Sequence, residues 1–145
     1  MPRIDNYYLT PGLPQDLDRF ACKLIEKAFK QGYTIIARTR DKTHSEALDR
    51  LLWTFRDRSF IPHGQASEPD NPILIAHEAV LQDALPYRLL VQIHPVSQET
   101  SFAAYERIVE IMDEAHRLNP NHQERLQRYQ ADGYEVHEHD QHLTV

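Results

Sequence analysis

Two clusters near the C-terminal end of the chain hold side chains capable of chemistry. The first is His137-Glu138-His139-Asp140-Gln141-His142, in a chain with nine histidines in all. In an extended segment side chains alternate between faces, so His137 and His139 point the same way and a divalent ion could bridge their imidazoles. The competing reading is a polar segment in water. The spacing fits no structural zinc pattern, no cysteine supports it, and no metal is expected. The second cluster is Arg125, Arg128 and Tyr129, at i, i+3 and i+4 of a predicted helix and so on one of its faces. Two guanidinium groups beside an aromatic suit a short acidic and apolar peptide. Arginine pairs a carboxylate bidentately, and tyrosine supplies apolar surface. The same three residues also fit a solvated helix laced with arginine–glutamate pairs.

Elsewhere the residue types of catalysis occur without its spacing. No Ser/His/Asp or Cys/His set has a local signature. The single cysteine, Cys22, sits beside Leu24 and Ile25 in a predicted helix. It reads as a small buried apolar group rather than a nucleophile, and it has no partner for an internal disulfide. Thr10-Pro11-Gly12-Leu13-Pro14 stands where an α/β protein would carry a phosphate-binding turn. It has one glycine and no following Lys-Ser/Thr, so neither a P-loop nor a dinucleotide fingerprint is present, and no cofactor is expected. A small-molecule or nucleotide-handling α/β enzyme using that loop is the rival functional reading, and the turn it needs is missing.

Composition narrows the classes further. Sixteen Lys and Arg against 22 Asp and Glu give a formal net charge of −6. Generic nucleic-acid binding relies on cationic side chains that neutralise phosphates, so direct DNA affinity should be weak, with action at DNA routed through other proteins. A length of 145 residues with 41% hydrophobic content suits one domain, residues 1–145, with one core. No apolar run reaches the ~18 residues a membrane span requires. The opening MPRIDNYYL has no signal-peptide core, which makes a cytoplasmic location the default.

The elements that must position these residues follow from periodicity. Ile4 to Leu9 reads as a strand. Gln15 to Lys30 reads as a helix with an apolar stripe through Leu17, Phe20, Ala21, Leu24, Ile25 and Ala28, closed by Gly32 in a left-handed cap. Tyr33 to Arg38 is a central strand by length and β-branching. A second helix runs from Lys42 to Phe55, with Thr43 or Ser45 as its cap and Glu46 completing a capping box. Residues from Arg56 to Pro72 read as loop. Ile73 to His77 and Tyr87 to Ile93 are strands, joined by a weakly specified connection at Ala79–Leu85. Phe102, Tyr105, Ile108, Val109, Met112 and Ala115 recur at helical spacing, although the β-branched centre of that run also fits a strand. The last helix spans His122 to Asp132, with a possible start before Asn119-Pro120 and Gly133 as its cap, and Tyr134 to Glu138 is a closing strand or extended tail. Strands alternate with helices through the first half. The expected fold is α/β, a three-layer α/β/α sandwich on a mixed, mainly parallel, Rossmann-like sheet without a nucleotide site, whose later strands are open to an antiparallel course.

One stretch stands apart: LDRLLWTFRDRSFIPHG, from Leu48 to Gly64. Leu48, Leu51, Leu52 and Phe55 form one helix face, and Trp53 lies one position off it. Pro62 disfavours helical angles at Ile61, and Gly64 permits a turn. Phe60 falls after the helix, in a loop. Either the aromatics tuck into the core, or they form a partner-binding surface rimmed by Arg50, Arg56, Asp57 and Arg58.

This stretch resembles the central motif of the chi subunit family of bacterial DNA polymerase III. The resemblance extends over nearly the whole chain: an opening strand and long helix, the strand YTIIAR, NPILIA, and the closing RYQADGYEVHEH. It implies a short helical turn near Phe102 followed by a strand across Arg107 to Met112. It also implies an accessory subunit without catalytic activity of its own, associated with the clamp loader. Such a subunit pairs with the psi subunit, binds the acidic C-terminal tail of single-stranded DNA-binding protein, and meets DNA indirectly, and a role with a repair helicase has also been proposed. Carried onto this chain, the psi surface comprises Trp53, Phe60, Pro62 and His63, and the tail surface Arg125, Arg128 and Tyr129. Asn119, Gln123 and Gln127 stand near positions where the best-known members carry further basic residues, so the tail affinity expected is micromolar at best, about −8 kcal/mol.

Overall fold

The computed structural model describes residues 3–10, 16–54, 62–65, 71–77, 87–93 and 105–142. Seven strands form one sheet in the order β3-β4-β2-β5-β6-β1-β7. They are β1 (Arg3–Thr10), β2 (Ile35–Arg38), β3 (Gly64–Gln65), β4 (Ile73–Ala76), β5 (Leu89–Ile93), β6 (Arg107–Asp113) and β7 (Glu135–His142). Among the described residues every strand pair is parallel. The mixed sheet with antiparallel later strands is therefore corrected. The segment from β5 to β6 is long enough for the crossover that parallel neighbours require.

Helices lie on both faces. On one face α1 (Asp16–Lys30) and α2 (Lys42–Thr54) pack Leu17, Ala21, Cys22, Ile25, Leu48 and Leu52 onto Ile35, Ala37, Ile73, Ile75, Val91 and Val109. On the other, α3 (Pro120–Ala131) packs Leu126 and Tyr129 against Ile4, Leu90 and Ile108. Coverage on both sides explains why β4 and β5 are buried at every position, β4 reading as a continuous apolar run and β5 as one interrupted only by Gln92. The three-layer α/β fold expected from the sequence is the one observed.

Local chemistry sets the helix ends. Gly32 (φ 94°) closes α1, with the Tyr33 amide donating to the Ala28 carbonyl and the Gly32 amide to that of Phe29. Gly133 (φ 91°) closes α3 in the same way, through Tyr134 to Tyr129 and Gly133 to Gln130. Both are left-handed caps of the Schellman kind. At the start of α3, Pro120 occupies the first turn and the Asn119 side chain accepts from the Asn121 amide at 2.9 Å. The cap of α2 is neither Thr43 nor Ser45. Asp41 accepts the His44 amide at 2.8 Å, and a carboxylate is also the better partner for the positive end of the helix.

Two further elements differ from the periodicity. Gly64 and Gln65, expected as loop, pair with Leu74 and Ile75 as a short edge strand. Backbone pairing alone makes this strand, so its side chains carry no β signature. At 107–113 the chain is a strand, not a helix, because Arg107 to Asp113 pairs along its length with Arg3 to Leu9 and its first part also with β5. The connection at Ala79–Leu85, the turn near Phe102, Phe55 and Phe60 lie outside the described residues.

Candidate functional site: two surfaces and the polar layer behind one of them

The end of α2 and the start of β3 bring the first set of residues together. Leu48 and Leu52 are buried, and Trp53, one step around the helix, is 47% exposed. His63 is buried and lies against the indole, with 4.4 Å between ring centroids and a 47° tilt. Its Nε2 is held by Asp49 of α2, 3.2 Å from the carbonyl and 3.1 Å from Oδ1. The imidazole is thus a fixed backing for a tryptophan that keeps about half its surface in water. Pro62 sits half-buried beside them.

The α3 residues sort differently from the simple helical-face picture. Arg125 and Tyr129 turn inward and are buried, and Arg128 is exposed. The partner of the inward pair is Glu110, fully buried in the middle of β6. Arg125 Nε donates to Glu110 Oε2 at 3.0 Å and Nη2 to Oε1 at 3.3 Å, while the Tyr129 hydroxyl donates to Oε2 at 2.8 Å. Gln92 Nε2 on β5 adds a donor at 3.3 Å. Burial, then the Glu110 charge, pushes the Tyr129 phenol well above its ordinary value.

A second chain of hydrogen bonds leaves Arg125. Its Nη2 donates to His122 Nδ1 at 2.9 Å. Tyr8 has one hydroxyl proton, which it donates to Glu138 Oε1 at 2.7 Å. His122 Nε2, 2.8 Å from the same hydroxyl, must therefore carry the imidazole proton and donate it. This arrangement requires a neutral ring, and burial followed by the Arg125 charge lowers His122 to about 4. Gln92, Glu110, Asn6 and Glu138 stand side by side in register across β5, β6, β1 and β7, beneath α3. Within this row both amide atoms of Asn6 are buried without a hydrogen bond.

The histidines of the closing segment lie in β7 rather than in a loose tail. His139 Nε2 meets Asp5 Oδ1 at 2.9 Å and its ring stacks on Tyr7 at 4.6 Å. Burial alone would raise the Asp5 carboxyl, but hydrogen bonds from Arg3, His139 and Arg107 outweigh it and hold the group below its ordinary value. His137 Nε2 lies 3.1 Å from Glu135. Among the described residues no three His, Cys, Asp or Glu side chains converge as a metal set. Cys22 is fully buried and its thiol is pushed up to about 12 by burial and by Asp18, which makes it a poor nucleophile.

A family model described as DNA polymerase III chi subunit, HolC, matches residues 1–137. The chain belongs to the chi subunit family. Among curated relatives, the DNA polymerase III subunit chi of Pseudomonas aeruginosa is 38% identical over 68 residues, 47% of this chain and 48% of the relative. A probable DNA polymerase III subunit chi of Rickettsia prowazekii is 36% identical over 76 residues, 50% of this chain and 45% of the relative. The chain thus spans about half the length of each. Among solved structures, T4 UvsW superposes with a TM-score of 0.66 at 12% identity, covering 98% of this chain and 42% of that one. At that identity the likeness is one of fold alone.

In this chi-family chain, Glu110, Gln92, Asn6, His122 and Tyr8 were not among the sequence candidates, and Glu138 stood among them only as part of the His137–His142 cluster. The one signal in the sequence was Glu110 itself, a carboxylate inside the apolar run Ile108–Met112, which cannot be buried without charged or hydrogen-bonding partners. Those partners sit on other strands and on α3, far away in sequence. Among the described residues no helix is long and apolar enough to cross a membrane.

Proposed function

We propose that the chain is an accessory subunit of DNA polymerase III without catalytic activity of its own. It works with the clamp loader, joining the psi subunit on one side to the acidic C-terminal tail of single-stranded DNA-binding protein on the other. It acts in the cytoplasm at the nucleoid-associated replisome and meets DNA through these partners. The observation that carries the reading is the half-exposed Trp53, braced by the buried His63 at the end of the family's central motif. A large aromatic fixed in place and left in water is the usual anchor of a protein interface. The psi surface is accordingly Trp53 and Pro62 backed by His63, with Phe60 beside them in sequence.

For the tail, Arg128 is the α3 arginine that reaches solvent, and it has no ion pair among the described residues. Arg125 and Tyr129 belong to the same site as its inner support, since their contacts with Glu110 hold the helix that presents Arg128. One exposed guanidinium flanked by Gln127 and Glu124 suits a micromolar, salt-sensitive contact with a carboxylate. Calorimetric titration of the purified chain with psi, and separately with the tail peptide, tests the reading. One-to-one binding to each is expected. No heat with psi at micromolar concentration would overturn the proposal.

A further inference from the structure

We propose that α1 carries a direct binding site for the phosphate backbone of DNA, formed by Arg19, Lys23, Lys27 and Lys30. This contact is additional to the partner-mediated one proposed above, and it rests on α1 alone.

All four cations are exposed. Their spacing places them within about 80° around the helix and about 16 Å along it. Leu17, Ala21, Ile25 and Ala28 are buried on the opposite side, so the row faces away from the sheet. No exposed carboxylate interrupts it. Glu26 is buried, and Asp16 and Asp18 are half-buried in the first turn, Asp18 against His44 of α2. Among the described residues none of the four cations has an ion pair or a side-chain hydrogen bond.

Such a row is unfavourable in isolation. Like charges three or four residues apart on a helix repel, and only Lys27 and Lys30 gain from the negative end of the helix. Solvation alone needs no single sign of charge, and a chain with 22 acidic residues against 16 basic has carboxylates in excess to place there. A run of phosphates removes the repulsion. The composition of the row favours a phosphate backbone over other polyanions. Three of the four cations are lysines, point charges that engage phosphate without the paired geometry arginine brings to a carboxylate. No exposed apolar side chain lies between them to anchor a peptide, because Phe20 and Leu24 pack against the core. The apolar face that a membrane-surface helix would insert is buried on the sheet. Contacts of this kind position a strand without reading its sequence. The net charge of −6 opposes any polyanion, so the contact is weak and depends steeply on salt.

The test is fluorescence anisotropy of a labelled oligothymidylate, titrated with the full chain at several salt concentrations. Four phosphate contacts predict that log K falls against log salt with a slope of about −3, at about 0.7 for each contact with a single strand. Lys23→Gln combined with Lys27→Gln should fold as before, since both positions are exposed and glutamine is a good helix former. This double variant should bind at least about tenfold more weakly at low salt, with the slope reduced to about −1.4. Adding Gln130→Lys and Asp132→Asn at the exposed end of α3 returns the net charge to −6 from the other face of the sheet. Affinity should then stay at the level of the double variant. Anisotropy that does not change at low salt, a double variant that binds like the unmodified sequence, or recovery in the charge-restored variant would overturn the inference. The acidic tail peptide is titrated in parallel. A double variant that loses the peptide and keeps the DNA would assign the row to a peptide partner and also overturn it.

Discussion

The indole of Trp53 lies 4.4 Å from the imidazole of His63, one ring half in water and the other buried. Two residues of the central motif, one at the end of α2 and one just before β3, thus form one feature. His63 supports it from within through Asp49, and Trp53 keeps about half its surface in water.

Trp53→Ala should separate binding from folding. Half of the side chain is already solvated, so the variant should lose only about 1–2 kcal/mol of stability, short of the 3–5 typical of a core tryptophan. Affinity for psi should fall by about 2 kcal/mol or more. A melting curve and a psi titration on the same preparation check both numbers.

Arg128→Ala should weaken tail binding by about 1–2 kcal/mol, the size of one charge-assisted hydrogen bond at a surface. The remaining affinity should also depend less on salt, because the removed charge is one that ions screen. Titrations at two salt concentrations read the difference directly.

The neutral imidazole of His122 makes stability depend on pH. Its ordinary value is 6.5 and the folded value is about 4, so below 6.5 the unfolded chain takes up a proton that the native chain refuses. The stability tied to this group is fully present above about pH 6.5, is lost as pH falls toward 4, and stays lost below that. The change is about 3 kcal/mol. Asp5, held below its ordinary value, adds a loss in the same direction at still lower pH. Urea unfolding at pH 7 and pH 4.5 should show a larger drop for the unmodified sequence than for His122→Gln, whose side chain does not titrate.

Gly133→Ala should cost about 1 kcal/mol, from backbone strain alone. Nothing lies within 4 Å of an added Cβ there, and φ is +91°. Chemical denaturation should show the loss without any change in psi binding.

Much of the architecture was legible because it rests on local periodicity and caps. The stripe of α1, Gly32, Gly133, and the apolar runs of β2, β4 and β5 all speak for themselves. What was not legible depends on neighbours distant in the chain. The periodicity of β6 is helical, so its strand, which the family resemblance implied across Arg107 to Met112, rests on the flanking β1 and β5 rather than on its own spacing. Gly64–Gln65 becomes a strand only beside β4. The spacing that put Arg125, Arg128 and Tyr129 on one helix face does not say that Glu110 lies beneath two of them, turning Arg125 and Tyr129 inward and leaving Arg128 exposed. Similarly, the alternation in β7 placed His137 and His139 on one face, while Asp5, which engages His139, comes from the other end of the chain.

The surfaces proposed for psi and the tail, Trp53 on α2 and Arg128 on α3, lie on opposite faces of the sheet, so the proposal predicts that one chain holds both partners at once. Calorimetric titration of tail peptide into the chain already saturated with psi decides the matter. One-to-one binding is expected, with the affinity of the free chain and weakened by Arg128→Ala. Displacement of psi by the peptide, or loss of peptide binding once psi is present, would show that the two partners compete and that the chain is no bridge.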